Sequence, residues 1–276
     1  MSAKAMSLKA KIRNIARKKN VPAQVILQNY MFERWLLRLA KSDYSEKFVV
    51  KGGILIAAMV GLESRATMDL DTMLRQLTLN EESVYTAVKE ICSIELKDGV
   101  SLSADRIAPI RDDDVYGGFR VFLTAVYDTI EVPLNIDVTT GDAVTPEPTK
   151  HLFKCIFDEK QKFTVWSYNV ETVLSEKIET ILRRGIFNTR PRDFYDAYVL
   201  LKTQEVNKEI FFEALANTAR HRGTMEQIAD TSSRLMVVKD SMELKQMWEK
   251  YRKQFAYAKD IEYEEIIAEI ASLLIK

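Results

Sequence analysis

Asp69 and Asp71 stand two apart in the run Thr67-Met68-Asp69-Leu70-Asp71-Thr72-Met73-Leu74. The alternation of that run predicts a strand, on which residues i and i+2 share a face about 7 Å apart. Two carboxylates facing the same way repel each other unless a cation stands between them. Hard oxygen ligands at this spacing suit Mg²⁺, whose octahedral shell nucleotide phosphates can complete. The competing reading is an exposed edge strand with solvated acids, and the spacing alone does not decide. Upstream, Gly52-Gly53 precedes the apolar run Ile54 to Val60. A glycine turn opening a short helix presents backbone N–H groups and a positive dipole end, a seat for phosphate that the chain can approach closely. A third acid, Asp137, ends the apolar stretch Leu134-Asn135-Ile136, with Asp142 a further candidate after Gly141. Three acids around one or two metal ions are an arrangement for phosphoryl or nucleotidyl transfer.

Those side chains need elements to hold them. Apolar residues from Leu8 to Ala40 recur at helical spacing with a break at Val21-Pro22, which predicts two helices. Phe48 to Val50 reads as a short strand, Ile54 to Val60 as a buried helix ending at Gly61, and residues 81–96 as a helix. Phe119 to Tyr127 and Ile130 to Val138, joined at Asp128-Thr129, predict a β-hairpin. From Asn169 onward the periodicity is helical. The expected class is therefore α/β (α+β): N-terminal helices and a mixed-sheet lobe over residues 1–150, then an all-helical lobe over 151–276. The chain has neither an internal repeat nor a low-complexity tract.

Over residues 170–184 a helix gathers Val170, Val173, Leu174, Ile178, Ile181 and Leu182 into one apolar stripe, and Lys177 falls inside it. Glu176, Glu179 and Arg183 lie opposite, on what should be a solvated face. An ammonium facing the interior must meet a carboxylate, a phosphate or a water-filled cleft. Snorkelling from the edge of the stripe, or pairing with a structural acid, is the simpler alternative.

Composition bounds the chemistry. The 276 residues carry 40 basic and 40 acidic side chains, so any basic surface must be local. Residues 4–19 hold seven cations and no acid, a pattern more often a solvated amphipathic helix than a phosphate site. Cys92 and Cys155 form no metal or disulfide pattern, and His151 and His221 stand far apart without a nucleophile motif. The basic N-terminus precedes no apolar signal core, and no apolar run approaches bilayer length, so cytoplasmic location and no membrane partner are expected.

The run Lys51-Gly52-Gly53 … Arg65-Ala66-Thr67-Met68-Asp69-Leu70-Asp71 resembles the first motif of the AbiEii/MenT-type toxins, of the DNA polymerase β-like nucleotidyltransferase superfamily. The resemblance continues at Ile136-Asp137-Val138 … Gly141-Asp142, at Glu176-Lys177 … Arg184, and at Arg190-Pro191-Arg192-Asp193-Phe194-Tyr195-Asp196. It covers about residues 8–202. It implies a two-lobed fold, a nucleoside triphosphate substrate, Mg²⁺, and a growth-blocking activity opposed by an antitoxin encoded nearby that makes no stable complex with the toxin. It assigns nucleotide binding to Lys51, Gly52, Gly53, Arg65, Thr67 and Lys177, metal binding to Asp69, Asp71 and Asp137, and completion of the active site to Lys177 with Asp193 or Asp196. Two features depart from the pattern. Gly53 stands where the family often has serine, and fifteen residues separate Gly53 from Asp69, which suggests an extra element between turn and strand.

The expected function is a type IV toxin of abortive phage infection that transfers NMP from GTP or CTP to RNA, tRNA foremost. A protein or antibiotic hydroxyl as acceptor, and a non-catalytic nucleotide- or RNA-binding module, are the alternatives. The last would gain nothing from carboxylates set against phosphates without a metal. Arg183, Arg184, Arg190 and Arg192, with Arg220 and Arg222 further off, are candidate acceptor contacts.

Overall fold

The computed structural model describes residues 2–110 and 117–274. It divides into two compact units, residues 1–141 with 148–168 and residues 142–147 with 169–276.

The first unit opens with α1 (Ala3–Lys19) and α2 (Ala23–Leu39), separated at Pro22. Ser2 caps α1, which buries Ala5, Leu8, Ile12 and Ala16 and turns Lys4, Lys11, Arg13, Arg17 and Lys18 to solvent. The basic run is thus the solvated face of an amphipathic helix. Then follow β1 (Phe48–Lys51), α3 (Gly52–Val60), β2 (Leu70–Leu74), α4 (Glu81–Ser93), β3 (Val100–Ile110), β4 (Gly118–Tyr127), β5 (Ile130–Thr140), β6 (Thr149–Lys154) and β7 (Lys162–Ser167). The seven strands form one sheet in the order β3-β4-β5-β2-β1-β7-β6, in which β2 runs parallel to β5 and β1 parallel to β7. The hairpin β4–β5 forms with Tyr127 opposite Ile130.

Alternation gives the sheet two unlike faces. Val121, Leu123, Ile136, Val138, Leu70, Leu74, Phe48 and Val50 are buried on one, where α2, α3 and α4 pack. On β5 the other face carries Glu131, Pro133, Asn135, Asp137 and Thr139, none of them buried. The catalytic candidates sit on this second face because the first is filled by core.

Three expectations change. The interval between Gly53 and Asp69 is filled by α3 itself and an irregular link over residues 61–69, so no extra element is inserted. The strand expected from Thr67 begins at Leu70, leaving Asp69 just before it. Residues 149–167, mostly beyond the boundary expected at 150, form β6 and β7 of the sheet. Their lysines and threonines interrupt the apolar pattern that marks a buried strand, which is why the sequence did not single them out.

The second unit is helical: α5 (Val170–Arg184), α6 (Pro191–Thr203), α7 (Lys208–His221), α8 (Met225–Ala229), α9 (Thr231–Asp240), α10 (Met242–Gln254) and α11 (Tyr263–Leu274). Asn169 caps α5 through Thr172 N–H, and Pro191 occupies the first turn of α6, where its missing N–H costs nothing. The segment 142–147 joins this unit through Thr145, whose N–H donates to Thr172 Oγ1 and whose carbonyl accepts from Asn169. Asp142 therefore belongs to the helical unit and not to the sheet that holds Asp137.

Candidate active site

Strand register assembles four charged residues that lie far apart in sequence. Lys51 is the cross-strand partner of Asp71, Asp71 of Asp137, and Asp137 of Arg120. A row of Lys51, Asp71, Asp137 and Arg120 thus crosses β1, β2, β5 and β4 on the open face. Neighbouring strands lie about 4.8 Å apart, so the inner two positions bring like charges close, with a cation at each end. Asp69, exposed just before β2, adds a third acid beside the row. Arg120 grips both carboxylate oxygens of Asp137, through Nε and Nη2 at 2.6 Å each. That hydrogen bond raises the guanidinium's pKa above its ordinary value against an opposing effect of burial, and the charges of Asp137, Asp69 and Asp71 add to the rise. Arg120 was not among the residues singled out from sequence. Its only signal there is a cation inside the apolar strand Phe119–Val121.

The glycine turn is built against this row. Gly52 has φ +66°, and a Cβ there would stand 2.0 Å from Asp71 Oδ2. Only glycine lets the carboxylate lie against the start of α3, a helix end that the Lys51 side chain does not cap. At Gly53 a Cβ would come 2.6 Å from Thr67 Oγ1. Thr67 thus places a hydroxyl beside the position where the family often has serine. Thr67 is itself buried, and Asn29 of α2 pins it by donating to its carbonyl at 2.7 Å. Arg65, also buried, donates to the Ala66 carbonyl. The nucleotide candidates Lys51, Gly52, Gly53, Arg65 and Thr67 therefore surround one helix N-terminus.

In the helical unit Lys177 projects from α5 onto α6. Its ammonium donates to Asp193 Oδ1 at 2.7 Å and lies 3.3 Å from Asp196 Oδ2. The two acids, three apart on α6, share one helix face. Asp196 is fully buried, and Asp193 Oδ2 is buried without a hydrogen-bond partner. The apolar stripe resolves as anticipated, but its opposite face does not. Glu179 is buried and accepts from Arg183, Arg222 and Thr224, while Glu176 pairs with Arg222. A second helix, α7, covers what the isolated helix would have left in water. Of the acceptor candidates, Arg183 and Arg222 hold this buried glutamate, whereas Arg190, Arg192 and Arg220 are exposed.

The acid row has the chemistry for a hard divalent cation: carboxylate oxygens from adjacent strands, and a field that already stabilises the charge of Arg120. Among the described residues no three acid, His or Cys side chains form a ready metal cage, and Arg120 takes both oxygens of Asp137. Both cysteines are free and buried, and burial pushes the Cys92 thiol up to about 12, which leaves it inert. No helix among the described residues is long and apolar enough to cross a membrane.

Residues 34–269 match the family described as nucleotidyl transferase AbiEii toxin, type IV TA system. The chain belongs to that family. It is a nucleotidyltransferase toxin, and the AbiEii match runs well beyond the last motif that the sequence displays, which ends at Asp196. Its similarity to solved structures is distant. JHP933 from Helicobacter pylori is 18% identical, with a TM-score of 0.46 over 84% of this chain and 95% of that one. A candidate nucleotidyltransferase from H. pylori is also 18% identical, with a TM-score of 0.47 over 93% and 100%. An antigenic nucleotidyltransferase-like protein from Paracoccidioides brasiliensis is 14% identical, with a TM-score of 0.41 over 75% and 92%. No match was found among curated proteins.

Proposed function

We propose that this AbiEii-family enzyme is Mg²⁺-dependent, takes GTP or CTP, and transfers NMP to an RNA acceptor, tRNA foremost, in the cytoplasm. The observation that carries this reading is the cross-sheet row of Lys51, Asp71, Asp137 and Arg120 with Asp69 beside it. In the reaction the acceptor hydroxyl attacks the α-phosphorus, the bond from that phosphorus to the β-phosphate oxygen breaks, pyrophosphate leaves, and a base takes the hydroxyl proton. Asp69 and Asp71 would hold the ion, and Asp137 would join once Arg120 releases an oxygen. Bound there, Mg²⁺ supplies charge neutralisation at the phosphates. Gly52 and Gly53 offer backbone N–H groups to the phosphates, with Lys51, Arg65 and Thr67 around them. Lys177 contributes a compact positive charge to the triphosphate, Asp196 anchors that ammonium, and Asp193 is the candidate base. Growth arrest, abortive infection and an antitoxin that acts without stable complex formation complete the reading.

The test is incorporation of label from each α-labelled NTP into total RNA in the presence of Mg²⁺, beside Asp69→Ala and Asp71→Ala. Labelled tRNA with wild type and none with either folded variant is expected. Label on protein or on a small hydroxyl compound would reassign the acceptor, and undiminished transfer by either variant would overturn the metal assignment. Expression should arrest bacterial growth with wild type and not with Asp69→Ala.

A further inference from the structure

We infer that the open face of β7 and β6 is a binding surface for single-stranded nucleic acid, leading the acceptor strand past β1 toward the acid row. This rests on the proposed RNA acceptor. The three strands read Phe48-Val49-Val50-Lys51, Lys162-Phe163-Thr164-Val165-Trp166-Ser167 and Thr149-Lys150-His151-Leu152-Phe153-Lys154, without a single acid. Register puts Lys150 opposite Trp166, Leu152 opposite Thr164, and Lys154 opposite Lys162. Since Val50 faces Ser167 across parallel strands, Val49 stands beside Trp166, and Lys51 shares their face. Lys51 in turn pairs with Asp71, which links this face to the acid row past the fully buried Val49.

The side chains here suit a polyanion with bases. The Arg75 guanidinium, following β2, lies 4.4 Å from the Trp166 ring centre, and Lys150 Nζ lies 5.3 Å from it. One indole therefore steadies two cations. Leu152, on the same face, is 47% exposed, an apolar surface between lysines. Lys154 opposite Lys162 is an unfavourable cross-strand pair unless an anion is shared. Protection of an edge strand accounts for lysines on β6, but not for Trp166 on the inner strand β7 nor for Arg75. Phosphates on the cations with bases against the aromatic and aliphatic surfaces are how single strands are bound without sequence readout.

Trp35 and Trp248 are buried, which leaves Trp166 as the tryptophan a ligand can reach. Titrating the full chain, without NTP or metal, with a short single-stranded oligoribonucleotide should quench tryptophan fluorescence saturably. The quench should vanish in Trp166→Phe. Lys150→Glu, melting like wild type, should bind about tenfold more weakly with a shallower salt dependence. Unchanged affinity in Lys150→Glu and in Lys154→Glu, no quench, or an equal quench by inorganic triphosphate alone would overturn the inference. The two readings separate cleanly. RNA that binds here yet accepts no label keeps the surface and removes the acceptor assignment, whereas wild-type RNA labelling by Lys150→Glu does the reverse.

Discussion

The guanidinium of Arg120 closes on both carboxylate oxygens of Asp137, directly across the antiparallel pair β4–β5. A protein cation thus answers the acids at the place where a divalent ion is proposed. Arg120→Met, which keeps the length of the stem, should leave Asp137 available and tighten Mn²⁺ binding by the nucleotide-free protein several-fold. Titration calorimetry measures this directly. Equal affinity in both forms would show that Asp137 is not a ligand.

Gly52→Ala should cost stability and activity together. At φ +66° an alanine is strained by about 1–2 kcal/mol, and its Cβ would meet Asp71 Oδ2. Gly223 supplies the control, because it has the same φ and a Cβ there would meet nothing within 4 Å. Gly223→Ala should melt early by the backbone strain alone, less than Gly52→Ala, and keep its transferase rate. Equal activity losses in the two variants would separate Gly52 from any role at Asp71.

Lys177→Ala should destabilise the helical unit by about 3 kcal/mol, because it takes a cation from the buried acids Asp193 and Asp196. Lys177→Met combined with Asp196→Asn removes the charges in balance. That pair should regain most of the denaturation midpoint while transfer stays lost by orders of magnitude. Recovery of the rate along with the stability would make Lys177 a structural residue only.

His151 gives a pH signature to the sheet unit. Burial holds its pKa below the ordinary value, its Nε2 has no hydrogen-bond partner, and its ring stands edge-on to Phe153 at 5.3 Å. Below an unfolded-state pKa of about 6.5 the unfolded chain takes up a proton that the folded chain refuses. Stability from this group is therefore full above that pH and falls as pH drops toward the folded value, at no more than about 1.4 kcal/mol per unit. Urea midpoints from pH 7.5 to 5 should show this slope in wild type and a smaller one in His151→Phe.

Local rules were enough to find much of this protein. β-Branched and aromatic residues on either side of Asp128-Thr129 marked the β4–β5 hairpin, the glycine pair marked the turn into α3, and the 3.6-residue period placed Lys177 in an apolar stripe, because each of these signals acts over a few neighbouring residues. The AbiEii resemblance was legible from motifs for the same reason. Tertiary structure alone decided the rest. Strand pairing is non-local, so nothing in the sequence fixes that Asp71 lies against Asp137 or that Arg120 closes the row. A helix wheel cannot know what covers its polar side, and α7 turned Glu179 from a solvated acid into a buried one. Likewise β6 and β7 look polar because one of their faces is open, and it is the pairing of β7 with β1, and of β6 with β7, that brings Trp166 and its cations into line with Asp71.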